Sequence, residues 1–129
     1  MAEEVPKVGS VVHIELVSKE PEKTKKFFHD LFGWKYQEMP EMGYTMIESL
    51  SSPGGGLRAP AGQEMPGTLS YILVANIDDA LRKSERAGAK VLLPKQEVPG
   101  MGWTGIVLVP GPVVQGLYQA NPQAQRQQR

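Results

Sequence analysis

Two side chains able to move protons or meet charge, His13 and Glu15, stand two residues apart in the stretch Val11–Val17. Alternation makes that stretch a β-strand. Val12, Ile14 and Leu16 point one way, and Val11, His13, Glu15 and Val17 the other. An imidazole and a carboxylate between two valines suit the lining of a cavity better than a dry core. An unpartnered buried carboxylate is costly or takes up a proton. Side by side on one strand face, the pair tunes one another's charge rather than flanking a substrate as acid and base. His29 falls in a lysine-rich helical segment and is assigned no role. The serines lack a nucleophile-elbow motif, so a Ser–His–acid triad has no support. The chain has no cysteine, which excludes disulfides, thiolate metal sites and cysteine nucleophiles.

The elements that must position these groups follow from punctuation and periodicity. Glu20-Pro21-Glu22 marks a helix start, with proline at the first helical position and acidic residues at the positive end of the dipole. Thr24, Phe27, Phe28 and Leu31 form the expected buried stripe, Lys23, Lys25 and Lys26 the wet face, and Gly33 the stop. Strands are expected over Trp34–Met39 and Tyr44–Ser49, and a weak one over Gly54–Arg58. Its three glycines suggest a bulge or the close approach of another group. Without a following helix or Gly-Lys-Ser/Thr they do not form a phosphate loop. Ala59–Gly67 is the connection at the midpoint. Leu69–Asn76 is a strand, Ile77-Asp78-Asp79 opens a helix closed by Gly88, and strands follow at Lys90–Leu93, ending at Pro94, at Trp103–Val109 and at Val113–Gln119.

Of 129 residues, 40% are hydrophobic, and 14 basic side chains balance 14 acidic ones. A neutral field offers nothing to nucleic acid or an anionic membrane. No apolar run is long enough to span a bilayer, and the acidic start lacks the apolar core of a signal peptide. A cytoplasmic location is the expectation. Residues 1–9 are expected to be a flexible N-terminus and 120–129 a disordered tail.

The two halves repeat one order: strand, helix, glycine, strand, strand, turn, strand. His13 and Tyr71 lie 58 residues apart, as do Ile14 and Ile72, while Gly56 and Gly116 lie 60 apart. The economical reading is a duplicated βαβββ module: module one at 10–58, a linker at 59–67, and module two at 68–119. The ordered set Val12-His13-Ile14-Glu15-Leu16, Phe27-Phe28, Leu31-Phe32-Gly33-Trp34 and Gly54-Gly55-Gly56, then Asn76-Ile77-Asp78-Asp79-Ala80-Leu81, Ala87-Gly88-Ala89-Lys90-Val91, Pro99-Gly100-Met101-Gly102-Trp103 and Gln115-Gly116-Leu117-Tyr118, resembles the glyoxalase/bleomycin-resistance (vicinal oxygen chelate) family. The resemblance runs from about Val11 to Gln119. It implies a single α+β domain at 10–119 whose two modules form a cupped mixed sheet with helices outside, and a homodimer.

Metal-dependent members of that family carry His, Glu or Gln on four inner strands, and the resemblance maps those positions onto His13, Tyr71, Gly56 and Gly116. His13 is the one metal candidate, because glycine has no donor to offer. No cofactor is therefore expected, a divalent metal being the alternative. The expected ligand contacts are His13 and Glu15 on a polar wall, Tyr71, Trp103 and Tyr118 on an apolar one, Met46 beside them, and Arg58 for an anionic group. The leading function is metal-free binding of a small organic molecule. The alternatives are a divalent-metal-dependent lyase, isomerase or ring-cleaving dioxygenase, and a non-catalytic scaffold.

Overall fold

A computed structural model describes residues 6–122. The expected flexible start and tail fall largely outside that range. The chain divides into two compact units, one of residues 12–70 and one comprising residues up to Val11 and from Tyr71 onward. Among the described residues no helix is long and apolar enough to cross a membrane.

The first unit contains β1 (Val11–Val17), α1 (Pro21–Phe32), β2 (Tyr36–Met39), β3 (Tyr44–Ile47) and β4 (Gly54–Arg58), with a short 3₁₀ turn at Pro40–Met42. Its strands lie in the order β2-β3-β4-β1. β2, β3 and β4 pair antiparallel, and β4 returns parallel to β1. The register sorts the side chains. His13, Glu15 and Val17 share a face with Gly54, Gly56 and Arg58, and Tyr44 and Met46 join them from β3. The opposite face carries Ile14, Leu16, Thr45, Ile47 and Leu57, of which Leu57 and Ile47 are almost wholly buried.

Helix α1 starts at Pro21 and stops at Gly33, whose left-handed backbone (φ 71°) closes it. Its orientation keeps Thr24 and Phe28 of the expected stripe and turns Phe27 and Leu31 out. The residues turned inward are Pro21, Thr24, Lys25 and Phe28, spaced at one helical face. Phe27, Leu31 and Phe32 are 53%, 61% and 62% exposed. Lys25, expected on the wet face, is the inward group. Its ammonium reaches Glu38 of β2 at 2.9 Å, and its carbonyl accepts from the Tyr36 hydroxyl at 2.8 Å. Phe28 stacks on Trp34, ring centroids 4.6 Å apart. These contacts to β2 and the segment before it set the helix rotation, and periodicity does not foresee them because it ranks apolar residues only.

The second unit takes β5 (Gly67–Leu73) from Tyr71 onward, with α2 (Ile77–Arg86), β6 (Lys90–Val98), β7 (Gly102–Val109) and β8 (Val113–Ala120), ordered β5-β8-β7-β6. β8 runs parallel to β5, the other pairs antiparallel. The topology of the first unit is thereby repeated. The register refines the repeat: Tyr71 faces Gly116, whereas His13 faces Gly54 and Glu15 faces Gly56. With His13 and Tyr71 equivalent, the counterpart of Gly116 becomes Gly54, two residues along on the same face.

Strand β6 runs through Pro94 instead of ending there. It lies at the edge of the order, where a missing N–H costs nothing, and its register shifts on both sides of Leu93. Helix α2 is capped by Asn76, whose side chain accepts from the Asp79 N–H at 2.8 Å. It buries Ile77 and Leu81 against Val107 and Leu117, with Ile72, Val91 and Trp103 around them. Gly105 allows this approach, since a Cβ there would lie 3.0 Å from a Leu81 methyl.

Candidate functional site

The one-residue alternation of β1 and the parallel return of β4 bring His13, Glu15 and Arg58 together, with Arg58, expected to meet the anionic group of a ligand, turned onto a carboxylate of the chain itself. The Arg58 Nε donates to Glu15 Oε1 at 2.8 Å. Glu15 is 9% exposed, so this charge-assisted bond compensates a carboxylate that would otherwise be costly to bury. The same guanidinium donates through its two terminal nitrogens to Glu64, at 2.6 and 2.8 Å. The Glu64 carboxylate also accepts the Ala61 N–H at 3.0 Å. The Arg58 bond holds the Glu64 carboxyl below its ordinary range.

His13 lies at the other end of the cluster. Its Nε2 is 2.7 Å from the Tyr44 hydroxyl and 3.9 Å from Glu15 Oε2. Burial lowers the His13 pKa, and the neighbouring Glu15 charge only partly opposes this. A neutral imidazole with Nε2 unprotonated accepts from the Tyr44 hydroxyl. The two rings face one another at a 23° interplanar angle.

Tyr44 reaches His13 by crossing directly over Gly56. A Cβ built on Gly56 would fall 1.8 Å from the Tyr44 hydroxyl oxygen. The glycine strand thus accommodates the close approach of another group, and that group is the Tyr44 ring. In the second unit Gly116 lies under Tyr71, whose ring would be 2.6 Å from an added Cβ. At both glycines that the family pattern maps to metal ligands, a neighbouring tyrosine ring fills the space a donor side chain would need. Among the described residues no group of three or more His, Asp or Glu side chains is arranged to hold a metal ion. The residues present do not fit the metal centre of that pattern.

The remaining expected contacts separate. Met46 shares the His13 face of the first unit by its register opposite Gly56. Tyr71 and Tyr118 share one face of the second unit. Tyr71 is buried opposite Gly116, and the Tyr118 hydroxyl donates to the Met101 carbonyl at 2.9 Å. Burial raises the Tyr118 pKa. Trp103 is a correction. It pairs with Gln119 rather than Tyr118, packs on the α2-side cluster, and lies under the Lys95 ammonium at 5.5 Å. Strand parity from Gly102 puts it with Gly105 and Val107, away from Tyr71. A cavity of about 380 Å³ in the first unit, lined by Leu16, Lys23, Thr24, Phe28 and Pro66 among others, includes none of the polar cluster.

Two further side chains join the cluster: Tyr44, which the sequence offers only as one of several aromatics able to line the sheet, and Glu64, which it does not single out. Tyr44 had a signal, since an aromatic one strand away from a glycine triplet is the natural occupant of the space. Glu64 had none, being one acidic residue in a polar connection.

Residues 10–49 match the family model described as bleomycin resistance protein-like N-terminal. That stretch contributes His13, Glu15 and Tyr44. CFP32 of Mycobacterium bovis, a glyoxylase by provisional name, is 27% identical over 121 residues, covering 88% of this chain and 46% of its own length. The chain therefore spans about half the length of the curated relatives it matches. A glyoxalase/bleomycin resistance protein/dioxygenase superfamily member from Vibrio splendidus 12B01 shares the fold with a TM-score of 0.60, 17% identity, and coverage of 86% of this chain and 98% of that one. Methylmalonyl-CoA epimerase from Mycobacterium tuberculosis does so with a TM-score of 0.60, 14% identity, and coverage of 96% and 97%. The α+β fold is that of the glyoxalase/bleomycin-resistance superfamily, as the resemblance implies.

Proposed function

We propose that this chain, with its glyoxalase/bleomycin-resistance fold, binds a small organic molecule at the polar face of β1, β3 and β4 and does so without a tightly held metal. The observation that carries the reading is the compensated cluster itself. Glu15, Arg58, His13 and Tyr44 are drawn together on one sheet face, where apolar side chains would give a more stable core. The absence of a metal from the proposal rests on Gly56 and Gly116, whose donor space the Tyr44 and Tyr71 rings take. Elemental analysis of dialysed protein, followed by a thermal-shift screen, tests it. Hits should lose affinity in His13→Ala. Near-stoichiometric zinc, nickel, iron or manganese would overturn the metal-free reading, and hits indifferent to His13→Ala would overturn the site.

A second reading has one observation in its favour. The neutral His13 held 2.7 Å from the Tyr44 hydroxyl is a donor–acceptor pair able to take and return a proton, which supports an enzyme of the proton-transfer class. Turnover abolished by both His13→Gln and Tyr44→Phe would place it first. A homodimer belongs to the same proposal. The exposed Phe27, Leu31 and Phe32 of α1 supply apolar surface for a second copy, and light scattering showing only monomer at micromolar concentration would remove it.

A further inference from the structure

In the connection between β4 and β5, the Ala59 carbonyl accepts from Arg58 at 3.2 Å and Glu64 bonds the same guanidinium. Of residues 61–68, Glu64 alone is not exposed, and its neighbour Met65 is 78% exposed. The connection closes a turn on itself, the Glu64 N–H donating to the Ala61 carbonyl at 3.0 Å and the Ala61 N–H returning to the Glu64 carboxylate. Beyond that turn, the hold on the sheet is the two-pronged bond from Arg58 to Glu64, at 2.6 and 2.8 Å.

A guanidinium offers its fork to a planar carboxylate, and the ideal partner is one carboxylate seated on two nitrogens. The third nitrogen, Nε, is committed to Glu15 at 2.8 Å. Arg58 and Glu15 together are neutral, so what the fork still attracts is a single negative charge. Glu64 supplies that charge from a segment with little else to lose on leaving.

We infer that the Arg58 fork is a binding site for the carboxylate of a small organic monoanion, and that Glu64 is its internal stand-in, displaced when the ligand arrives. The inference rests on the small-molecule reading above and names the class of molecule. The exchange replaces one carboxylate by another on the same two nitrogens, so the charge of the cluster does not change. His13 and Tyr44, 2.7 Å apart, lie on the same face of the sheet. A dianion such as phosphate is disfavoured, because Glu15 stands on the same guanidinium. As a tethered competitor, Glu64 acts at a high effective concentration and weakens ligand affinity in the intact protein.

The test uses propionate, which reproduces the Glu64 side chain, titrated into the full chain and followed by NMR at the Arg58 Nε–H and the Ala61 amide. In the wild-type protein propionate should shift both signals together, because the Ala61 N–H loses the Glu64 oxygen as the ligand takes the fork. Glu64→Gln keeps the shape but removes the charge, and should bind propionate at least tenfold more tightly. The triple variant Glu15→Gln/Arg58→Gln/Glu64→Gln removes the three charges together and should not bind it. Equal affinity in wild type and Glu64→Gln, or an effect of Glu64→Gln confined to thermal stability, would show that Glu64 is a structural clip and overturn the inference. Inorganic phosphate binding as tightly as propionate would overturn the ligand class. Screen hits that depend on His13 while propionate leaves Arg58 unmoved would sink this inference alone. Propionate binding without any His13-dependent hit would sink only the broader reading.

Discussion

Replacing Gly56 by alanine sets a methyl carbon 1.8 Å from the Tyr44 hydroxyl oxygen and 2.0 Å from the ring carbon that bears it. Neither atom can remain, so the Tyr44 ring must swing off β4. Forcing a methyl into filled space costs ~1–3 kcal/mol. Losing the bond to His13 adds ~0.5–1.5 kcal/mol, since Tyr44 and His13 meet at 2.7 Å only along this path. Against this, alanine restricts the unfolded chain and returns ~0.4–1 kcal/mol. The expected net loss is about 0.5–4 kcal/mol, read from urea unfolding as a lower midpoint at unchanged slope. Gly54→Ala is the control. It lies in the same strand, a Cβ there meets nothing within 4 Å, and it should be neutral or slightly stabilising. Tyr44→Ala is the second arm. In that background Gly56→Ala should cost little, a coupling of ~0.5–3 kcal/mol. If Gly56→Ala is as benign as Gly54→Ala, or costs the same with and without Tyr44, then Tyr44 does not occupy this space. The account of why a donor cannot stand there would fall with it.

Other perturbations separate the parts of the fold. Because burial lowers the His13 pKa below its ordinary 6.5, the unfolded chain binds the proton more readily. Stability is complete above about pH 6.5 and falls as pH drops through the lowered folded value. His13→Gln should flatten that part of the pH–stability curve, and an unchanged curve would remove the buried-neutral assignment. Ile77→Ala, at a fully buried α2 position, should cost ~2–5 kcal/mol. Phe27→Ala on the exposed face of α1 should cost well under half as much by the same urea assay. Asn76→Ala removes the side-chain acceptor of the Asp79 N–H and should cost ~1 kcal/mol, a loss that Asn76→Asp should largely avoid.

What sequence alone could decide was what local rules govern. Strand parity put His13 and Glu15 on one face of β1, and glycine and proline punctuation located both helices. The spacing of like elements exposed the duplicated module, and the resemblance that it carried led to the right fold. A buried Glu15 without a partner would be costly, which marked its face as one to watch, but nothing local named Arg58 as that partner. These are consequences of periodicity and desolvation, which act within a few residues or on one side chain at a time.

Tertiary structure decided everything that depends on which strand lies beside which. The parallel return of β4 to β1 joined Arg58 to Glu15, 43 residues away, and β3 beside β4 laid Tyr44 over Gly56. Trp103 went to the helix side because β7 pairs it with Gln119, one residue along β8 from Tyr118 and on the face of Leu117. α1 turned Lys25 inward because Glu38 and Tyr36 of β2 hold it there, while Phe27 and Leu31 stayed outside. Glu64 is the clearest case. Nothing local distinguishes it from other acidic residues of the chain, and only the fork of Arg58, placed by the sheet, gives it a partner.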